Sequence, residues 1–286
     1  MTEQAATHHQ PLIIVAPNGA RKSRNDHRAL PITPEQMVEQ LAPCVDAGIG
    51  MVHLHARTRD GLHSLEIDDN AAMLKAVQDA FGEQLVIQLT TEAVGIYKPE
   101  QQMKLIRELA PEAASFAIRE LVPDEQHYEQ AEDFFAWVRS KNIIAQYIVY
   151  SAEDLLRYQS LIELGVLPAD HHHLLLVLGR YSKGQQSQPI DLLPFLAQAK
   201  LADRAPDGGW SLCAFGQSEN LCLANALTLG GDVRVGFENN HLRPDGTVSD
   251  DNAENVRRIA NVIRTLDSQP SSAAGFRARF NNGGKN

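Results

Sequence analysis

Eight apolar, β-rich runs alternating with helical patterns predict a (β/α)8 barrel. Three observations carry this expectation. The runs recur at roughly 25 to 40 residue intervals, room for one helix between each pair. They are nearly continuous in apolar character, as expected of strands covered on both faces in a parallel sheet. Eight strand–helix units also suit one barrel, and no low-complexity linker divides the 286 residues. The chain therefore reads as a single barrel domain over 1–286. Its short polar ends, 1–10 and 268–286, read as loosely held tails or oligomer arms. An open doubly wound sheet is the competing architecture, weakened because no GxGxxG follows the first strand.

The elements follow in order. Strand 1 is expected over Leu12–Ala16. Thr33-Pro34-Glu35-Gln36 then carries a capping-box pattern with Thr33 as N-cap, Pro34 at N1 and Gln36 at N3. Met37, Leu41, Cys44 and Val45 continue it near helical spacing until Gly48. The remaining strands are expected over Gly50–His55, Leu85–Thr90, Ala113–Ile118, Ile143–Val149, Leu174–Leu178, Trp210–Phe215 and Asp232–Glu238. Helical patterns cover roughly 68–80, 99–109, 124–139, 152–164, 191–200, 217–229 and 251–266.

Composition narrows the function. A net charge of −10, from 26 basic and 36 acidic residues, argues against nonspecific binding to nucleic acid or an anionic membrane. Cys44, Cys213 and Cys222 have no motif spacing and sit in apolar patterns, so they read as buried free thiols in a reducing compartment. The N-terminus lacks a basic segment followed by an apolar one, and no run approaches the ~20 apolar residues of a membrane span. The expectation is a cytoplasmic protein.

Active sites in such barrels lie at the C-terminal ends of the strands. There the sequence offers Asn18, Arg21 and Lys22 after strand 1, and His53, His55 and Arg57 on strand 2. Strands 3 to 5 offer Gln88, Thr90, Thr91, Ser115, Arg119, Glu120, Gln146 and Tyr150, and the last three add Arg180, Gln217, Ser218, Arg234, Glu238 and Asn239. His53 and His55, at i and i+2, face one side of a strand. Two imidazoles begin a metal site, although structural or substrate-binding histidines remain the plainer alternative. A catalytic zinc takes three protein ligands. In a closed barrel strands 2 and 8 both flank strand 1, which makes Glu238 a plausible third. Arg234 and Glu238, at i and i+4, either fill the barrel as an ion pair or divide between anion binding and metal binding.

Other motifs have plainer readings. His171-His172-His173 precedes strand 6, at the opposite rim, and suits a turn or subunit contact better than a metal. Gly230-Gly231 reads as a tight turn, and Asp60-Gly61 with His63 as a loop. Gly216-Gln217-Ser218, Arg180 and Lys183 fall where a ligand phosphate could sit, or else in solvated loops.

The combination of "NGARKSRNDHRALPITPEQM", "HLHAR", "VLGRYSKG" and "GGDVRVGFENN" resembles the β-keto acid cleavage enzymes, from about Leu12 to Ala273. The resemblance implies a homotetrameric (β/α)8 barrel holding a divalent metal, usually zinc. It implies a reaction in which a β-keto acid and acetyl-CoA give acetoacetate and a new acyl-CoA. By the same resemblance the metal ligands are His53, His55 and Glu238, the catalytic arginine is Arg234, and Thr90 and Ser115 bind substrate. Thr90 stands where the family has serine.

Two positions depart from the family. Asn239 replaces the aspartate that serves as general base, and an amide cannot take a proton at neutral pH. Glu120, at the mouth of strand 4, is the expected substitute, with Asn239 left to orient Arg234 or a water. Arg21 stands where the member acting on 3-keto-5-aminohexanoate has a glutamate for the substrate ammonium. Unless Arg21 points to solvent or to a coenzyme A phosphate, the substrate tail is neutral or anionic. A metal-dependent hydrolase or aldolase working without coenzyme A, and a non-catalytic ligand-binding barrel, are the competing functions.

Overall fold

The computed structural model describes residues 10–199, 206 and 208–281. Eight parallel strands close into a barrel in sequence order: β1 (Ile13–Val15), β2 (Met51–Leu54), β3 (Val86–Thr90), β4 (Ala113–Ala117), β5 (Ile144–Val149), β6 (His172–Leu178), β7 (Trp210–Ala214) and β8 (Asp232–Val235). Strand β1 pairs with both β2 and β8, so residues leaving these two strands meet above it.

The surrounding helices are α1 (Pro34–Ala47), α2 (Ile67–Phe81), α3 (Pro99–Leu109), α4 (Tyr128–Ser140), α5 (Ala152–Glu163), α6 (Leu193–Ala199), α7 (Glu219–Thr228) and α8 (Asn252–Thr265). The capping box opening α1 forms as expected: Gln36 N donates to Thr33 Oγ1 at 3.3 Å, and Thr33 N to Gln36 Oε1 at 3.2 Å. Lys200, the expected end of α6, lies outside the described residues. No helix among the described residues is long and apolar enough to cross a membrane. All three cysteines are buried and free.

Alternation along the strands builds two cores. Outward residues such as Ile13, Val15, Val52, Leu54, Ile87 and Leu89 join the helices in the main apolar cluster. Inward residues grade from apolar at the floor to polar at the mouth. Met51, Val86, Ala113 and Ile144 form the floor, while His53, Thr90 and Ser115 line the cavity above.

A C-terminal helix corrects one expectation. The expected tail 268–286 is not loose over its described part, because α9 (Ala273–Asn281) closes the bottom of the barrel; residues 282–286 lie outside the described residues. Phe276 and Phe280, i and i+4 on this helix, pack into the floor cluster, and Arg279 Nη1 pairs with buried Asp232 at 2.6 Å. The expected tail at the other end lies, up to residue 9, outside the described residues. Phe276→Ala should cost about 3–5 kcal/mol, read by denaturant unfolding. An unchanged unfolding midpoint would show that the plug adds nothing to stability.

The histidine tract also differs from expectation. Strand β6 begins at His172, so two of the three histidines belong to the strand. His173 Nε2 lies 3.1 Å from Asp232 and its Nδ1 2.8 Å from Gln146, while His172 bonds the Tyr158 hydroxyl. The His173 contacts lie inside the barrel, whereas His172 ties the strand to the helix outside it.

Candidate active site

The cavity at the barrel mouth starts from β2. His53 points inward beside Gln88, its neighbour in the β2–β3 register, and its Nδ1 lies 2.6 Å from Gln88 Oε1. An amide oxygen only accepts, so we assign the proton to Nδ1, which leaves the Nε2 lone pair facing the cavity. His55 follows just beyond the strand end on the same side. Its Nε2 lies 3.0 Å from that of His53.

Glu238 arrives differently from expectation. Strand β8 ends at Val235, and a turn, not a continuing strand, carries the carboxylate inward. Gly236 makes the turn possible at φ +130°, where an added Cβ would meet Ala16 O at 2.3 Å. Gly19, at φ +64°, leaves space for Glu238 itself: a Cβ there would lie 2.5 Å from Glu238 Cγ. Gly236→Ala is therefore expected to displace Glu238 and to destabilise the fold by about 1–3 kcal/mol, checked by denaturant melts and metal titration together. Wild-type behaviour in both would remove the turn from the argument.

The three candidate ligand atoms form a triangle. Glu238 Oε2 is 3.6 Å from His53 Nε2 and 3.3 Å from His55 Nε2, which closes the 3.0 Å edge between the imidazoles. Tetrahedral zinc with bonds of 2.0–2.1 Å holds its ligand atoms roughly 3.3 Å apart, so the spacing fits a divalent cation. Protonation fits as well. Burial pushes His53 down to about 4 and His55 to about 3, so both imidazoles are neutral at pH 7. Burial opposes ionisation of Glu238, but Arg234 and the imidazoles outweigh it and hold the carboxyl well below its ordinary value. Its Oε1 accepts from Arg234 Nη2 at 3.0 Å, whereas buried Oε2 has no hydrogen-bond donor. A buried, ionised oxygen without a donor is costly unless a cation meets it.

Around the triangle the cavity has two lobes. An inner lobe of about 400 Å³ adds Thr90, Ser115, Tyr150 and Arg234 to His53 and Glu238. An outer lobe of about 330 Å³ is lined by Asn18, Arg21, Lys22 and Gln185, among others. Glu92, Arg180, Phe215 and Glu238 line both. Ser115 Oγ is buried without a partner, and Thr90 Oγ1 accepts from Glu92 N at 3.0 Å.

Of the expected site residues, the structure brings His53, Glu238, Arg234, Thr90, Ser115 and Arg21 to the two lobes and sets His55 against His53 and Glu238. It does not bring Glu120 there. The Glu120 carboxylate accepts from Ala93 N at 2.9 Å and from Gln102 Nε2 at 3.2 Å, which pins the loop after β3. Asn239 is buried, lines neither lobe, and has no partner for its amide. Gln217 bonds Pro244 O at 2.7 Å and also lines neither lobe.

Sequence reasoning missed Glu92. It stands in "TTEAVG", just past the end of β3, beyond the last residue considered for that strand. Its carboxyl is pushed up to about 7 by burial and by neighbouring Glu238, against the pull of Arg180. His63, read as part of a surface loop, is buried and holds Glu92 in place, its Nε2 lying 2.8 Å from Glu92 O. Arg57 ties the rim together, donating to Lys22 O at 2.9 Å, to Gly61 O at 2.6 Å and to Gly19 O. That clamp sets the loop that carries Arg21 against the cavity.

The family model for beta-keto acid cleavage enzyme matches residues 11–281. The chain belongs to this family. Among curated β-keto acid cleavage relatives, 3-oxoadipate:acetyl-CoA acetyltransferase of Cupriavidus necator is 25% identical over 276 residues, covering 94% of each chain. The 3-keto-5-aminohexanoate cleavage enzyme of Acetoanaerobium sticklandii is 24% identical over 88% of this chain and 91% of its own. A 3,5-dioxohexanoate:acetyl-CoA acetone transferase of Paraburkholderia graminis is 25% identical over 91% of this chain and 92% of its own. The fold of this family member also matches the solved binary complex of ObcA with oxaloacetate. That match has a TM-score of 0.68 and 18% identity, over 88% of this chain and 67% of the other.

Proposed function

We propose that this chain condenses a β-keto acid with acetyl-CoA and releases acetoacetate and a new acyl-CoA. The observation that carries the reading is the triangle of His53 Nε2, His55 Nε2 and Glu238 Oε2 within a cavity of a family member. A divalent ion held there, zinc by family resemblance, would act as a Lewis acid toward the bound keto acid. The resemblance also carries the proposal of a homotetramer.

The remaining work falls to side chains. Glu92 is the carboxylate that lines both lobes beside Glu238, and with its Oε1 facing Arg180 we assign its Oε2 the C2 proton in place of Glu120. The resulting carbanion attacks the thioester carbonyl of acetyl-CoA, with departure of the coenzyme A thiolate. That thiolate adds to the original ketone, and cleavage of the bond to C2 gives the acyl-CoA and acetoacetate. The proton held by Glu92 returns to the acetoacetate carbon. Arg234, fixed by Glu238, faces the oxygens that gain charge, and the partnerless Ser115 hydroxyl donates to one of them. Arg21 at the outer lobe disfavours a cationic tail.

The test is to supply β-keto acids of varied tail with and without acetyl-CoA and to measure acetoacetate and acyl-CoA. Equimolar products only when acetyl-CoA is present are expected. Breakdown of the keto acid at the same rate without acetyl-CoA would favour a hydrolase or aldolase and defeat the proposal.

A further inference from the structure

The two lobes differ in charge. Arg21, Lys22 and Arg180 bring three cations to the outer lobe, and Glu92 and Glu238 stand on the wall shared with the inner one. Glu238 is already engaged by Arg234 at 3.0 Å and turned toward the imidazoles. Lys22 Nζ donates to Phe237 O at 2.6 Å. The two arginines, in contrast, converge on one oxygen. Glu92 Oε1 lies 3.3 Å from Arg180 Nη2 and 3.8 Å from Arg21 Nε. Neither guanidinium makes the two parallel bonds it can form with a carboxylate of its own. Arg180 is also seated over the Phe215 ring at 5.5 Å, which steadies its plane at the boundary between the lobes.

We infer that the outer lobe receives a second carboxylate at the far end of the substrate, held between Arg21 and Arg180, so that the preferred β-keto acid is a dicarboxylate. The inference rests on the proposed function for the placement of the reacting end beside Glu238. In the free protein Glu92 Oε1 stands in for the missing anion, and the substrate carboxylate takes over both guanidinium groups. A coenzyme A phosphate is also anionic, but the location favours the acid. Glu238 lines both lobes, so only a short chain separates the reacting end from Arg180.

Two measurements test this on the full-length protein, Arg21→Gln and Arg180→Gln, with circular dichroism to confirm folding. The first is calorimetric binding of adipate, hexanoate and free coenzyme A, which needs no turnover. The wild type should bind adipate at least about 10-fold tighter than hexanoate, and each variant should lose most of that difference while coenzyme A binding holds. The second compares kcat/KM, with acetyl-CoA, for a six-carbon β-keto dicarboxylate and the β-keto monocarboxylate of equal length. A preference on the order of 100-fold in the wild type should shrink to a few-fold in the variants. Equal binding of adipate and hexanoate to the wild type overturns the inference. So does a coenzyme A affinity that collapses in the variants while adipate is unaffected, which assigns the lobe to a phosphate. If both keto acids are turned over equally, the dicarboxylate inference fails and the proposed function stands. If neither is turned over but the adipate preference depends on the arginines, the proposed function fails and the anion site stands.

Discussion

Glu238→Gln is expected to abolish metal retention and, with it, turnover. The carboxylate is buried and ionised, and the oxygen facing the two imidazoles has no donor of its own. A neutral amide in its place removes the charge that makes the triangle attractive to a divalent cation. Protein purified without chelator should carry about one divalent ion per chain, as a three-ligand catalytic site does. Glu238→Gln and His53→Ala should carry almost none. Loss of a Lewis acid worth several kcal/mol corresponds to a fall in rate of about 10³-fold or more, and a chelator should act likewise on the wild type. Because Glu238 also holds buried Arg234, the glutamine variant is expected to lose some stability; His53→Ala leaves that pair intact and separates the two effects. Native protein without stoichiometric metal, or full turnover after chelation, would defeat the metal assignment.

Glu92→Gln is the second large effect. Its turnover should fall by about 10²–10⁴-fold, the range for a lost general base, while metal content stays at the wild-type level. Solvent deuterium exchange at C2 of the β-keto acid, measured without acetyl-CoA, isolates the proton step. Enzyme-dependent exchange should vanish in Glu92→Gln and persist in Glu120→Gln. Glu120 is bonded to Ala93 N and Gln102, so its loss should appear as loosening of the loop after β3, with only a few-fold change in rate. The reverse pattern, with exchange lost in Glu120→Gln alone, would return the base to β4.

Much of the fold was legible because its signals are local. Continuous apolar runs, the Thr33–Gln36 capping box and Gly48 as the helix stop need no distant partner to be read. Residues 268–281 read as a tail because only two aromatics distinguish α9 from a polar segment, and their partners lie on strands far away in sequence. His172 and His173 read as a turn before β6 because polar residues at the start of a strand resemble one, and Tyr158, Gln146 and Asp232, which satisfy them, are distant in sequence.

The candidate site divides in the same way. The i and i+2 spacing of His53 and His55 already placed both imidazoles on one side of a strand, and barrel closure brought Glu238 within reach of them. By itself, then, the sequence determined the barrel, the pair of imidazoles and the departure at Asn239. Tertiary structure decided which carboxylates face the cavity. Glu92 and Glu120 both follow strand ends, Glu92 in the loop after β3 and Glu120 in the helical turn Ile118–Leu121 after β4. One is turned toward two arginines and the other toward a backbone amide. That choice depends on partners contributed by the segments after β1, β3 and β6, and no local pattern records the direction of a side chain beyond a strand end.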